Sequence, residues 1–238
     1  LDSPDRENEG DLIIAADSVT EEKMAFMVRY TGTVHTLRGG KRQRLPFPQE
    51  LSQFANHHFR LKIQRPHLRT YPSDLARRLN LPQMVADNAD PKGTAYTISI
   101  DSSDPSITTG ISAHDRALTC RTLASPDVRS EDFRRPGHIL PLQARAGGVR
   151  ERKGHTEAAI EFCRLAGKPP AGVIAELVED GEQVEGVAEI RGNNGMMRRD
   201  SCLRFGKRWG LKVCTIEDLI EYLERTEGPS IPVANGKH

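Results

Sequence analysis

The stretch DRENEGDL, residues 5 to 12, sets the strongest constraint on how this chain can fold. It places four carboxylates and one arginine in eight positions, then runs directly into the apolar Leu12-Ile13-Ile14-Ala15-Ala16. That apolar run is too short for an independent helix and reads as a buried strand. The strand must therefore open, at its acidic mouth, onto something that answers the charge. Solvent and salt, a nearby lysine or arginine, or a metal ion with its substrate would each do so. Along an extended chain Glu7, Glu9 and Asp11 alternate and share a face. Carboxylates on one face suit Mg²⁺, which prefers oxygen ligands. They also raise one another's pKa, as a general base needs. A solvated polar edge is the competing reading.

The elements that follow interleave. Thr20 is an expected N-cap, with Val19 stapled onto Met24, for an amphipathic helix that ends near Tyr30. DLARRLNLPQM suggests a short helix after Ser73, and residues 94 to 100 alternate as a strand should. Ser112 and Asp115 stand at capping-box spacing ahead of another helix, and HILPLQA, from His138, reads as a strand. Thr156 is the expected N-cap of the helix in TEAAIEFCRLAG, with Gly167 as its stop. GVIAELVED reads as a buried strand. LKVCTIEDLIEYLER reads as a strand, a Thr215 cap and a final helix, and from residue 228 a loose tail is expected. The pattern predicts an α/β (α+β) fold, a mixed β-sheet flanked by helices, in a single domain over residues 1–238. The strands are too few for an eightfold barrel.

Residues 36 to 72 differ in character. They hold eight Lys or Arg against one acid, Glu50, so they carry about +7 while the whole chain carries +1. Their apolar residues keep no period, and both GGKRQRLPFPQ and RPHLRTYPSD read as loops. Three accounts stand open: a disordered insertion, a basic arm for a polyanion, or non-coding sequence carried into the chain. Basic charge without a binding fold argues against nucleic acid. No apolar run approaches the ~20 residues that span a bilayer, so no membrane partner is expected. No signal-peptide h-region is visible. The four cysteines, Cys120, Cys163, Cys202 and Cys214, are widely spaced without a CxxC pair. They read as reduced thiols of a cytoplasmic protein.

Three further stretches could carry chemistry. In RKGHT, Gly154 precedes a helix whose free N–H groups can bind phosphate. Arg152 offers a bidentate cation to the same anion, and His155 can ligate a metal or move a proton. The competing reading is a capped helix beside a surface histidine. TTGIS, residues 108 to 112, offers two hydroxyls and a glycine before a capped helix. Glu176 interrupts an apolar strand, either on an outward face or as a buried functional carboxylate.

Taken in order, DRENEGDLIIAA, MAFMVR, DPKGTAYTISID, TTGISAHDRALT, RPGHILPL, GGVRERKGHTEAAIEFCRLAG and PPAGVIAELV closely resemble the 3,4-dihydroxy-2-butanone 4-phosphate synthases of riboflavin biosynthesis. The resemblance covers residues 5 to 35 and about 73 to 225. It implies a lyase that converts ribulose 5-phosphate to the four-carbon phosphate and formate. It further implies Mg²⁺ (or Mn²⁺), no organic cofactor, and a homodimer with active sites at the subunit interface. By the same resemblance Glu7 and His155 match the metal ligands. Arg6, Glu7, Asp11, Thr109, Arg152, Gly154, His155, Thr156 and Glu176 match substrate-binding positions. Glu9, Asp11, His138 and Glu176 match candidates for proton transfer. Three departures are visible. The family's leading helix and strand do not precede the acidic motif, His35 replaces a cysteine, and a short loop has become residues 36–72. A metal-dependent phosphosugar isomerase and an inactive phosphosugar-binding remnant are the alternative functions.

Overall fold

The computed structural model describes residues 1–32, 68–71 and 73–228. Its centre is a mixed sheet of five strands: β1 (Asp11–Ala15), β2 (Leu68–Tyr71), β3 (Ile100–Ser102), β4 (Phe133–Gln143) and β5 (Gly172–Glu176). They lie in the order β1-β5-β2-β4-β3. Only the β2–β4 pair is parallel; β1–β5, β5–β2 and β4–β3 are antiparallel. Among the described residues six α-helices accompany them: α1 (Glu21–Tyr30), α2 (Ser73–Arg78), α3 (Ala113–Ala124), α4 (His155–Leu165), α5 (Arg199–Trp209) and α6 (Ile216–Glu227). A small ribbon pairs β6 (Glu182–Gln183) with β7 (Ile190–Arg191). The expected mixed sheet flanked by helices is what forms.

The period of two in the strands divides the core. Leu12 and Ile14 of β1, with Val173 and Ala175 of β5, pack into the large cluster beneath α1 and α3. Ile13 and Ile174 face the other way, where α4 lies across the sheet. Gly172 permits that approach, because a Cβ there would sit 2.9 Å from the Ala159 side chain. The register carries the same parity to the strand ends. Ile13 opposes Ile174, so two residues further on Asp11 opposes Glu176. Both carboxylates thus belong to the α4 face of the sheet.

Three expected caps form. Thr20 accepts from the Lys23 N–H at 3.3 Å, Ser112 from the Asp115 N–H at 3.0 Å, and Thr215 and Asp218 bond each other's backbone reciprocally. Thr156 is not a cap. Gly154 takes that position and no side chain caps α4, so the helix starts one residue before Thr156 and its first N–H groups carry no side-chain cap. The expected strand at residues 94–100 survives only as Ile100. Tyr96 bridges Leu142 while Thr97 bridges Gln83, and this switch of partner prevents a continuous ladder. Residues 211–214 are not a strand, because they lie in no ladder among the described residues. Residues 68–71 correct the loop reading at the end of the basic stretch. The flanking Pro66 and Pro72 suggested a loop, yet backbone pairing with β4 on one side and β5 on the other makes this segment the middle strand of the sheet. The remaining expectations for residues 36–67, including His57, His58 and His67, fall outside the described residues, as do those for His35 and for the tail beyond residue 228.

All four cysteines are free; Cys120, Cys163 and Cys202 are buried and Cys214 is exposed. Among the described residues no helix is long and apolar enough to cross a membrane.

Candidate active site

A cleft of about 260 Å³ opens where the Asp11 end of β1, the Glu176 end of β5 and the first turn of α4 meet. Eight residues singled out from the sequence line it: Arg6, Glu7, Glu9, Asp11, Arg152, His155, Thr156 and Glu176. The acidic stretch reaches the cleft by a different route from simple alternation. Residues 4 to 7 form a turn, and Asn8 takes a left-handed backbone with φ of 56°. Extended chain resumes at Glu9, which bridges Arg198. Glu7 therefore arrives from a turn, Glu9 from an isolated bridge and Asp11 from β1.

Asp2, which sequence reading passed over, holds the turn together. Its carboxylate is almost fully buried, accepts from Arg6 Nη1 at 2.9 Å and accepts from the Glu9 N–H at 2.9 Å. Arg6 also approaches Glu7 at 3.4 Å. Part of the crowded negative charge is thus answered by Arg6 within the motif. Asp2 is also one of a triad. One ligating atom each from Asp2, Glu7 and His155 lies within 4.8 Å of the others. The only forewarning was its place in the same acidic run, three residues before Asp5.

His155 is not a surface histidine. It is 8% exposed, and its Nδ1 stands 3.5 Å from Asp11 Oδ1. Among the described residues its Nε2 and Asp11 Oδ1 are buried without a hydrogen-bond partner. Orphaned buried polar atoms of this kind call for a ligand. Burial pushes His155 down to about 4 and so keeps the imidazole neutral, the form that ligates metals. Burial, with Asp2, Glu7 and Glu9 adding to it, pushes Asp11 up to about 7. Glu9 is raised by burial and then by Glu7. Two carboxylates and a neutral imidazole are a donor set that fits a divalent ion such as Mg²⁺ or Mn²⁺.

These shifts predict a pH signature in metal-free protein. Asp11, raised in the fold, gives stability present below pH 4 that is lost as pH rises through 7. His155, lowered in the fold, gives stability present above pH 6.5 that is lost as pH falls through 4. Across the shared window the two slopes oppose. His155→Gln removes the rising slope, so urea unfolding in EDTA should show the variant losing stability, relative to wild type, as pH rises from 4 to 6.5. An unchanged difference across that window would refute the opposed pair.

Arg152 stands at the α4 end of the cleft. Its Nη1 donates to Glu157 Oε2 at 2.7 Å, its Nε to the Lys92 carbonyl at 3.2 Å and its Nη2 to Thr94 Oγ1 at 3.3 Å. Glu157 is 1% exposed and also accepts from the Arg145 N–H at 3.0 Å. Nothing in the local pattern marks this pair, since an acid in a first helical turn reads as a partner of the helix dipole. Gly154 leaves room for the pair to close over it. A Cβ on it would meet Arg152 Nη1 at 2.2 Å and Glu157 Oε2 at 2.7 Å. The uncapped N-terminus of α4, Thr156 and this guanidinium stand together, an arrangement whose chemistry suits an anion.

Three named residues are not in the cleft lining: Gly154, which directly precedes α4, Thr109 and His138. His138 lies on β4 against Asp101 of β3, with Nδ1 2.8 Å from Asp101 Oδ2. Gly110, next to Thr109, closes on the same pair: a Cβ there would meet both Asp101 Oδ2 and His138 Nδ1 within 2.6 Å. His138, Asp101 and the Gly110 backbone next to Thr109 therefore form a second cluster.

Comparison with known proteins gives one answer. The family model described as 3,4-dihydroxy-2-butanone 4-phosphate synthase matches residues 1–63 and 68–222. A protein of that name from Pyricularia oryzae is 54% identical over 96% of this chain and 84% of its own length. One from Candida albicans is 43% identical over 94% and 89%. A crystal structure of a 3,4-dihydroxy-2-butanone 4-phosphate synthase in complex with two magnesium ions superposes with a TM-score of 0.79 at 53% identity, covering 96% of this chain and 90% of that one.

Proposed function

The chain belongs to the 3,4-dihydroxy-2-butanone 4-phosphate synthase family, and from that membership we propose a metal-dependent lyase that converts ribulose 5-phosphate to 3,4-dihydroxy-2-butanone 4-phosphate and formate for riboflavin biosynthesis. The observation that carries this reading is the convergence, in one cleft, of metal-ligating, proton-moving and anion-holding groups from residues 6–11, 152–156 and 176. We read residues 1–238 as one domain of a cytoplasmic enzyme.

Glu7 and His155, with Asp2 beside them, would hold Mg²⁺ or Mn²⁺. When bound, the ion supplies charge that stabilises anionic substrate oxygens. The protein's own groups do the rest. The N-terminus of α4, Arg152 and Thr156 hold the phosphate and set the sugar's direction along the cleft. Asp11, with its pKa raised to about 7, can exchange protons near neutral pH. Glu176 faces it across the β1–β5 pair, and Glu9 lines the same wall. Carboxylates held in different environments divide the acid and base tasks of an enolisation, a dehydration and a rehydration.

Thr109 and His138 enter this reading through a homodimer, in which the second cluster of one subunit completes the cleft of the other. Their absence from the lining supports it, as does the exposed Ile111 beside Thr109.

The decisive experiment incubates the purified chain with ribulose 5-phosphate and Mg²⁺. Formate should appear as substrate disappears, and EDTA should stop it. Deuterium entering the sugar from solvent without carbon loss would instead mark an isomerase. Binding without turnover would mark a binding protein.

A further inference from the structure

The cluster outside the cleft carries a tighter assignment than its histidine alone. Asp101 is 4% exposed, whereas the His138 side chain is 40% exposed. Asp101 holds His138 twice. Oδ1 accepts from the His138 backbone N–H at 2.9 Å, and Oδ2 meets ring Nδ1 at 2.8 Å. The ladder is built to allow this. The β3–β4 register shifts between Ile100 and Asp101, and Gly137 lies so close to β3 that a Cβ would fall 2.0 Å from the Ile100 carbonyl carbon. Arg116, fully buried, donates from Nη1 to the His138 carbonyl at 3.3 Å and from Nε to the Ile111 carbonyl at 2.7 Å. Backbone and ring of His138 are thus both held, while its side chain stays 40% exposed.

We infer that Asp101 is a positioning residue for the reaction: it locks His138 in the tautomer that carries its proton on Nδ1 and presents Nε2 to the substrate. This rests on the proposed role of His138 in that reaction. The chemistry follows from the two bonds. An ionised carboxylate only accepts, so Nδ1 must donate and Nε2 is left with its lone pair. Nε2 can then take a proton from substrate carbon or oxygen and return it, while Asp101 stabilises the imidazolium formed in between.

Asp101→Asn separates positioning from structure. The backbone N–H of His138 is a fixed donor, so the amide oxygen must face it. The amide NH₂ then faces Nδ1, which has to become the acceptor, and the proton moves to Nε2. Both contacts to β4 survive while the tautomer reverses. The test uses the full chain labelled with ¹⁵N-histidine. Long-range ¹H–¹⁵N correlation should show His138 protonated on Nδ1 in the wild type and on Nε2 in Asp101→Asn. In formate release the variant should lose ~10²-fold or more in kcat with KM within ~3-fold, the pattern of a misplaced proton. Adding Asp101→Asn to His138→Gln should cost nothing further, since the carboxylate acts only through the ring. A wild-type ring protonated on Nε2 overturns the assignment even if the variant fails to fold. So does a variant that reverses the tautomer and keeps its kcat. If the wild type itself releases no formate, the proposed function fails, while the tautomer measurements still decide whether Asp101 sets the ring.

Discussion

Glu7→Ala should lower formate release by ~10³-fold or more, the loss expected when several kcal/mol of metal-borne charge stabilisation disappears. Glu7 is a cleaner probe than its partner. It comes from a turn, its side chain is 35% exposed, and among the described residues its ion pair is with Arg6 at 3.4 Å, which leaves Arg6 still held by Asp2 at 2.9 Å. Stability should stay within ~0.5 kcal/mol of wild type, as for surface substitutions. His155→Ala should be as inactive but will also open a hole at the buried start of α4. Calorimetric titration with Mn²⁺ should show binding to wild type and its loss in Glu7→Ala. A folded Glu7→Ala protein that still binds the ion and still releases formate would remove Glu7 from the metal set. It would also leave the orphaned His155 Nε2 without the explanation given for it.

The sequence shows why Glu7 could be named and Asp2 could not. Acidic residues at the mouth of an apolar strand are visible as a pattern, and so are caps. Thr20, Ser112 and Thr215 announce their helices because the accepting hydroxyl, the helix start and the donating backbone N–H all lie within four residues. Strand parity is equally local. The alternation of Leu12, Ile13 and Ile14 between two core clusters follows from chain geometry alone. What the sequence hides are partners chosen by tertiary structure. Asp101 lies 37 residues from His138, and nothing in ISIDSS marks one acid as the holder of a distant ring. α5 was missed because its start, Arg198, offers no capping side chain, and its buried stripe of Cys202, Phe205 and Gly206 is narrow among six exposed or half-exposed polar residues. β2 was misread because prolines near a four-residue run say loop, whereas two neighbouring strands supply hydrogen bonds on both sides. In each case the deciding interaction is far away in the chain.

Arg152→Ala should show two separable losses. Glu157 is 1% exposed, and the mutation leaves its carboxylate buried without the guanidinium that pairs it at 2.7 Å. Breaking a buried pair from one side costs about 3–5 kcal/mol, most of it the uncompensated charge. Chemical denaturation should register that loss directly. Separately, the phosphate loses a bidentate donor, and KM for ribulose 5-phosphate should rise ~10- to 100-fold. Glu157→Gln added to Arg152→Ala tells the two apart. The amide carries no charge, and its oxygen can still accept from the Arg145 N–H that Glu157 holds at 3.0 Å. The double variant should therefore recover much of the stability while KM stays high. If KM returned along with stability, Arg152 would be a strut for the first turn of α4 and the phosphate would be held by Thr156 and the helix N-terminus alone. If neither returned, the Glu157 carboxylate would be needed for more than balancing Arg152, and its bond to the loop at Arg145 would be the next contact to break.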